Sequence, residues 1–249
     1  MSTPFTLTFA FALFMMIALP VLLAFLVVRA RRLPVRVPLV AAGFYFISLA
    51  ITLPLTAFAW PLAFGRGSLL TLALTCLTWG VCEELARFAS FRFVPVMQRH
   101  RDDSGALAAG LGHGGAESII FGLQFGAGVA LMTLFPQQLP AGAGQQALSG
   151  GPVSFVLLGL DRLPALAAHL AFAFLIVMAF RRGLKYLPIA IVAHTLLDFV
   201  VFSIQKYFGA LWFEAVFGLL GAAALILVAL LLRHQTIATQ DEEPPPTAA

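Results

Sequence analysis

The chain has 249 residues, 61% of them hydrophobic and only 10% charged. A soluble domain of that length could not be covered by so few polar side chains, so a water-soluble enzyme or carrier is excluded. The net charge of +4 does not point to nucleic acid, because the basic residues sit in short stretches between apolar runs and form no patch interleaved with aromatics.

Several apolar runs are long enough to cross a bilayer, which takes about 18–20 residues. The first, about 5–28, lacks a basic leader and is too long for a cleavable signal, so it reads as a retained helix. It stops at Arg29, Arg31, Arg32 and Arg36. The second covers about 37–60, with Pro54 near its far end, where a kink is tolerable. The third covers about 68–90. Cys76 and Cys82 fall roughly 120° apart around that helix and cannot pair with each other. Residues 91–101 mix apolar and basic side chains and suit a segment in the headgroup region or an ordinary loop.

The fourth helix, about 105–135, is rich in glycine, and Gly110-x-x-x-Gly114 fits close helix packing better than substrate contact. The uncharged stretch 136–152 reads as a flexible loop. Three helices follow at about 155–181, 185–204 and 208–232. The acidic, proline-rich end reads as disordered. The fold expected is all-α: a polytopic bundle of about seven transmembrane helices in one domain, 1–235, with a disordered tail, 236–249.

The loops at 29–36, 91–104 and 181–185 hold four, three and three Arg or Lys residues, whereas the alternate loops hold Arg66, none and Lys206. By the positive-inside rule the N-terminus lies outside and the C-terminus in the cytoplasm. The preference for Arg over Lys and the abundance of Ala and Gly fit a bacterial plasma (inner) membrane.

Against this background the polar residues inside the spans stand out, since each costs several kcal/mol unless it is paired or faces a polar cavity. They are Glu83, Glu84 and Arg87 on the third helix, His113 and Glu117 on the fourth, His169 on the fifth, and His194 and Asp198 on the sixth. At 1.5 Å per residue, the seven acids and imidazoles fall roughly 9–21 Å from the cytoplasmic helix ends, within one layer of the bilayer. Four helices placing titratable groups at one depth suggests a polar chamber.

Local spacing adds detail. Arg87 lies one helical turn beyond both glutamates, so one carboxylate can be held as an ion pair while the other stays free. His113 with Glu117 and His194 with Asp198 are i,i+4 pairs, suited to metal ligation or to a ligand and its orienting partner. Such a set can supply a base, an activated water and a Lewis acid for hydrolysis. Outside it, Asp161-Arg162 reads as a local salt bridge at the outer start of the fifth helix. Glu214 reads as snorkelling to the interface, and His100 and His234 as solvated or interfacial.

The motifs Glu83-Glu84-Leu85-Ala86-Arg87, Gly112-His113-Gly114-Gly115-Ala116-Glu117, His169 and His194-Thr195-Leu196-Leu197-Asp198 resemble, in that order, the YhfC-type intramembrane metalloproteases. That family is similar, more distantly, to the CAAX-prenyl proteases, the bacteriocin-processing peptidases and the PrsW proteases. The resemblance implies an intramembrane metalloendopeptidase acting on a membrane-associated peptide or protein, with zinc or another divalent metal. It implies Glu83 as the water-activating base and Glu84 as the partner of Arg87, although helix geometry lets the two glutamates exchange roles. His113 and His194 would bind metal or polarise the carbonyl, with Asp198 orienting His194. His169 and Glu117 are the further candidate ligands. Two other classes share these residue types: an ion-coupled transporter, which would need a continuous polar path, and a catalytically silent membrane scaffold.

Overall fold

The computed structural model describes residues 3–138 and 150–241, with side chains described to residue 232. Seven helices are long and apolar enough to cross a membrane: α1 (Thr3–Ala30), α2 (Arg36–Phe64), α3 (Leu69–Phe93), α4 (Asp103–Leu134), α5 (Gly151–Arg181), α6 (Tyr186–Phe208) and α7 (Ala210–Leu232). Among the described residues there is no strand, so the chain is the all-helical bundle expected. The last helix runs on to Asp241, so 236–241 are helical where composition predicts a disordered tail; 242–249 lie outside the described residues. The expected loop at 136–152 opens with a short 3-10 turn, Pro136–Gln138, and 139–149 also lie outside.

Local chemistry sets the ends of the spans. Ser68 Oγ accepts the Thr71 N–H at 3.0 Å and opens α3, and Asp102 Oδ1 accepts the Gly105 N–H at 2.7 Å and opens α4. Gly209, at φ +88°, makes the reversal between α6 and α7 in a conformation that side chains rarely adopt. Within α1, Pro20 brings no N–H to the Met16 carbonyl, and a π-turn, Phe14–Ala18, precedes it. Ser118 Oγ of α4 donates to that carbonyl at 2.9 Å, which satisfies a backbone group that lipid could not. Pro54 lies inside α2 and is followed by a π-turn at Leu55–Ala59.

Five helices close a ring in which α4 packs on α2, α2 on α3, α3 on α6, α6 on α5 and α5 back on α4. α1 covers α4 and the first part of α5, and α7 covers α5 and α6. Glycines set the closest approaches. A Cβ on Gly110 would lie 2.8 Å from Leu170 Cα, one on Gly112 2.2 Å from Pro38 O, and one on Gly80 2.2 Å from Thr195 Oγ1. These three therefore let α4 meet α5 and α2, and α3 meet α6, almost backbone to backbone, as the Gly110-x-x-x-Gly114 spacing suggests. After α3 a four-residue helical turn, Pro95–Gln98, is anchored by the fully buried Phe91 and Met97. Arg101 ties it back by donating to Phe91 O at 2.7 and 3.1 Å, with its guanidinium 4.1 Å from the Phe180 ring centre.

Candidate functional site

The ring of helices encloses the polar residues picked out above, and all eight join in one network. From α3, Glu84 Oε1 accepts from Arg87 Nη1 and lies 2.8 Å from His194 Nδ1 of α6. Arg87 Nη2 reaches across to His169 Nδ1 of α5 at 2.9 Å. His169 Nε2 meets Glu117 Oε2 of α4 at 2.7 Å. The other glutamate of the pair turns elsewhere: Glu83 Oε2 lies 3.2 Å from His113 Nε2 and 4.0 Å from His194 Nε2. Asp198 Oδ2 stands 3.5 Å from that same His194 nitrogen. Glu84, Arg87 and His113 are fully buried, and Glu83, His169 and His194 nearly so.

Helix spacing explains only part of this. Arg87 is on one face with both glutamates but bonds Glu84 alone. Glu117, one turn from His113, bonds His169 of the neighbouring helix instead. The carboxylate on His194 Nδ1 is Glu84, three helices away in sequence, while Asp198 faces Nε2. Each imidazole thus takes its closest carboxylate from another helix, which i,i+4 arithmetic cannot reveal.

Arginine can only donate, so His169 Nδ1 must carry the lone pair and Nε2–H donates to Glu117. Both nitrogens of His169 are engaged. His194 donates Nδ1–H to Glu84, and its Nε2 faces two carboxylates, Asp198 at 3.5 Å and Glu83 at 4.0 Å. His113 has one nitrogen toward Glu83 and a buried Nδ1 without a partner.

Glu83, His113 and His169 together offer three ligand atoms within 4.8 Å of one another. Two imidazoles and one carboxylate make a donor set typical of hydrolytic zinc. The 3.2 Å between Glu83 and His113 is close to the ~3.3 Å that separates two ligand atoms around a tetrahedral zinc. These residues fit a divalent metal, provided His169 releases Glu117 or Arg87.

Two corrections concern the outer half. Asp161 and Arg162 are not at the outer start of α5: they mark a break inside the span, between Gly151–Leu160 and Arg162–Arg181, and both are buried. Nor do they form the expected local pair. Arg162 Nη1 reaches Glu117 Oε1 at 3.8 Å and lies over the Phe121 ring, while Asp161 stands against Glu214 of α7. Glu214 is half-buried beside it. The described side chains stop short of His234.

Sequence reasoning missed Tyr45 of α2. Its ring meets His113 edge-on at 5.2 Å between centres, is 4% exposed, and lies within electrostatic reach of Glu117 and Glu83. A tyrosine in mid-span, away from the interfacial belts where tyrosine gathers, was the available signal.

No curated protein and no solved structure matches the chain. Residues 15–218 match the family described as YhfC intramembrane metalloprotease, and this stretch contains every helix of the ring and all eight network residues. A buried Glu-His-His cluster inside seven apolar spans is what that family name leads one to expect, and the chain belongs to the YhfC intramembrane metalloprotease family.

Proposed function

We propose that the chain is an intramembrane metal-dependent peptidase in which Glu83 takes the proton from the attacking water. The observation that carries this reading is the placement of Glu83. Its carboxylate is left out of the Glu84–Arg87 pair and faces two imidazoles, at 3.2 and 4.0 Å. Those contacts suit a group whose task is proton transfer next to metal-holding histidines.

A divalent ion would be held by His113 and His169 with His194, and would supply a polarised carbonyl and a more acidic water. Glu84 orients His194 through Nδ1–H, and Arg87 balances the charge of Glu84 while steadying the His169 ring. Asp198 and Glu117 lie on the Nε2 sides of their imidazoles, opposite Glu84 and Arg87, where they can accept or return protons once Glu117 yields His169 Nε2 to the metal. The chamber lies toward the helix ends that carry the basic loops, which supports a position in the cytoplasmic half of a plasma membrane, with the N-terminus outside. Its substrate is a membrane-associated peptide or protein entering from lipid or cytoplasm.

The ligand cluster favours a second reading, in which Glu83 is itself a metal ligand with His113 and His169. The Glu84–His194 dyad, with Nε2 turned toward Asp198, then takes the proton. One variant separates the two. Glu83→Gln is purified, its metal is measured by mass spectrometry, and cleavage of a membrane-anchored reporter is followed. The first reading expects metal retained and cleavage lost; loss of both selects the second. Full cleavage would sink both.

A further inference from the structure

A groove of about 470 Å³ opens on the surface of the bundle, where the start of α2 meets the segment after α3. Leu39 and Val40 of α2 form one wall, Val94 and Val96 of the segment after α3 form the other, and Arg36 and Arg99 stand in its lining. The two guanidiniums stand at the ends of spans, beside apolar walls.

Three other arginines near this end of the bundle have structural partners. Arg101 caps the Phe91 carbonyl, Arg181 pairs with Asp103 at 3.1 Å, and Arg92 lies over Phe93. Among the described residues, Arg36 and Arg99 have no carboxylate or carbonyl in reach, and both are exposed. Two unpaired cations attract an anion, and the valine and leucine walls beside them suit a hydrocarbon chain.

We infer that this groove is a binding site for an anionic phospholipid, with the phosphate between Arg36 and Arg99 and an acyl chain along Leu39, Val40, Val94 and Val96. A phosphate at the interface joined to a chain in the hydrocarbon layer has the chemistry that both parts of the groove call for. Lipid here would brace the turn Pro95–Gln98 against α2 and so steady the end of the helix that carries Glu83 and Glu84. The inference does not rest on the peptidase reading.

The full chain would be reconstituted in phosphatidylcholine vesicles containing one-fifth phosphatidylglycerol, extracted mildly, and its retained lipid read by native mass spectrometry. Wild type is expected to retain phosphatidylglycerol over phosphatidylcholine. Arg36→Gln with Arg99→Gln is expected to lose that preference by about thirtyfold, from about 1 kcal/mol for each of the two interfacial cations. Arg29→Gln with Arg31→Gln removes the same charge from neighbouring exposed positions and should keep it. An equal loss in both double variants would replace the site by diffuse attraction and overturn the inference. So would unchanged retention in the first. Displacement by soluble glycerol phosphate as effective as by phosphatidylglycerol would also overturn it, by assigning the groove to a free phosphate. Glu83→Gln is expected to retain lipid like wild type whether or not it cleaves.

Discussion

His194 Nδ1 lies 2.8 Å from Glu84 Oε1, the same oxygen that accepts from Arg87. One carboxylate oxygen therefore binds α6 to α3 and neutralises a fully buried guanidinium. Its neighbour Glu83 has no such duty, although the two residues are adjacent in sequence.

The two glutamates should therefore differ in what their loss does to the fold. Glu84→Gln leaves Arg87 buried without a counter-charge, which costs about 3–5 kcal/mol. Glu83→Gln breaks no arginine pair and should unfold close to wild type. Thermal unfolding in one detergent checks this, and equal destabilisation of the two variants would contradict it.

Gly114 decides whether His169 can occupy its place. A Cβ there would lie 2.7 Å from His169 Cδ2 and 2.8 Å from its Cβ and Cγ. Gly114→Ala must push the ring off Glu117 and Arg87, at about 1–3 kcal/mol of overpacking. We expect retained helicity by circular dichroism, with loss of bound metal and of reporter cleavage. Gly128→Ala, which meets nothing within 4 Å, is the matched control and should match wild type in both.

Tyr45 should act through its ring. Tyr45→Phe keeps the edge-on contact with His113 and is expected to stay within a few-fold of wild-type cleavage. Tyr45→Ala opens a cavity beside His113 and should cost about 3–5 kcal/mol. A drop of more than tenfold in Tyr45→Phe at unchanged metal content would assign the work to the hydroxyl instead.

Metal should stabilise the folded chain by binding it and not the unfolded one. At a hundredfold excess over Kd this amounts to about 2.7 kcal/mol. Stripping with a chelator is expected to lower Tm and abolish cleavage, and zinc to restore both. The shift should shrink in His113→Ala; a shift of the same size there would place the metal elsewhere.

Much of the architecture was legible in the chain. Seven apolar stretches require seven spans because bilayer thickness fixes helix length, and the helix ends fall within a few residues of those expected. The depth argument also worked for the chamber, since rise per residue is constant and Glu83, His113, His169 and His194 do meet. It failed at Asp161 and Arg162, because α5 begins at Gly151, earlier than expected, and breaks where those two residues sit. Tyr45 escaped because one polar ring in an apolar helix has no periodic pattern to betray it.

By itself the sequence determined that this is a membrane bundle, that its costly polar residues share one layer, and that Glu83 and Glu84 lie beside one arginine. Those follow from composition and helical pitch, which are local properties. Only the tertiary structure decided who partners whom: Glu84 with His194, Arg87 with His169, Glu117 with His169 and Arg162, and Glu83 with His113. Partners across helices depend on how each helix is rotated about its axis. That rotation is set by close approaches such as Gly80 on Thr195 and Gly114 on His169, which no single helix encodes alone.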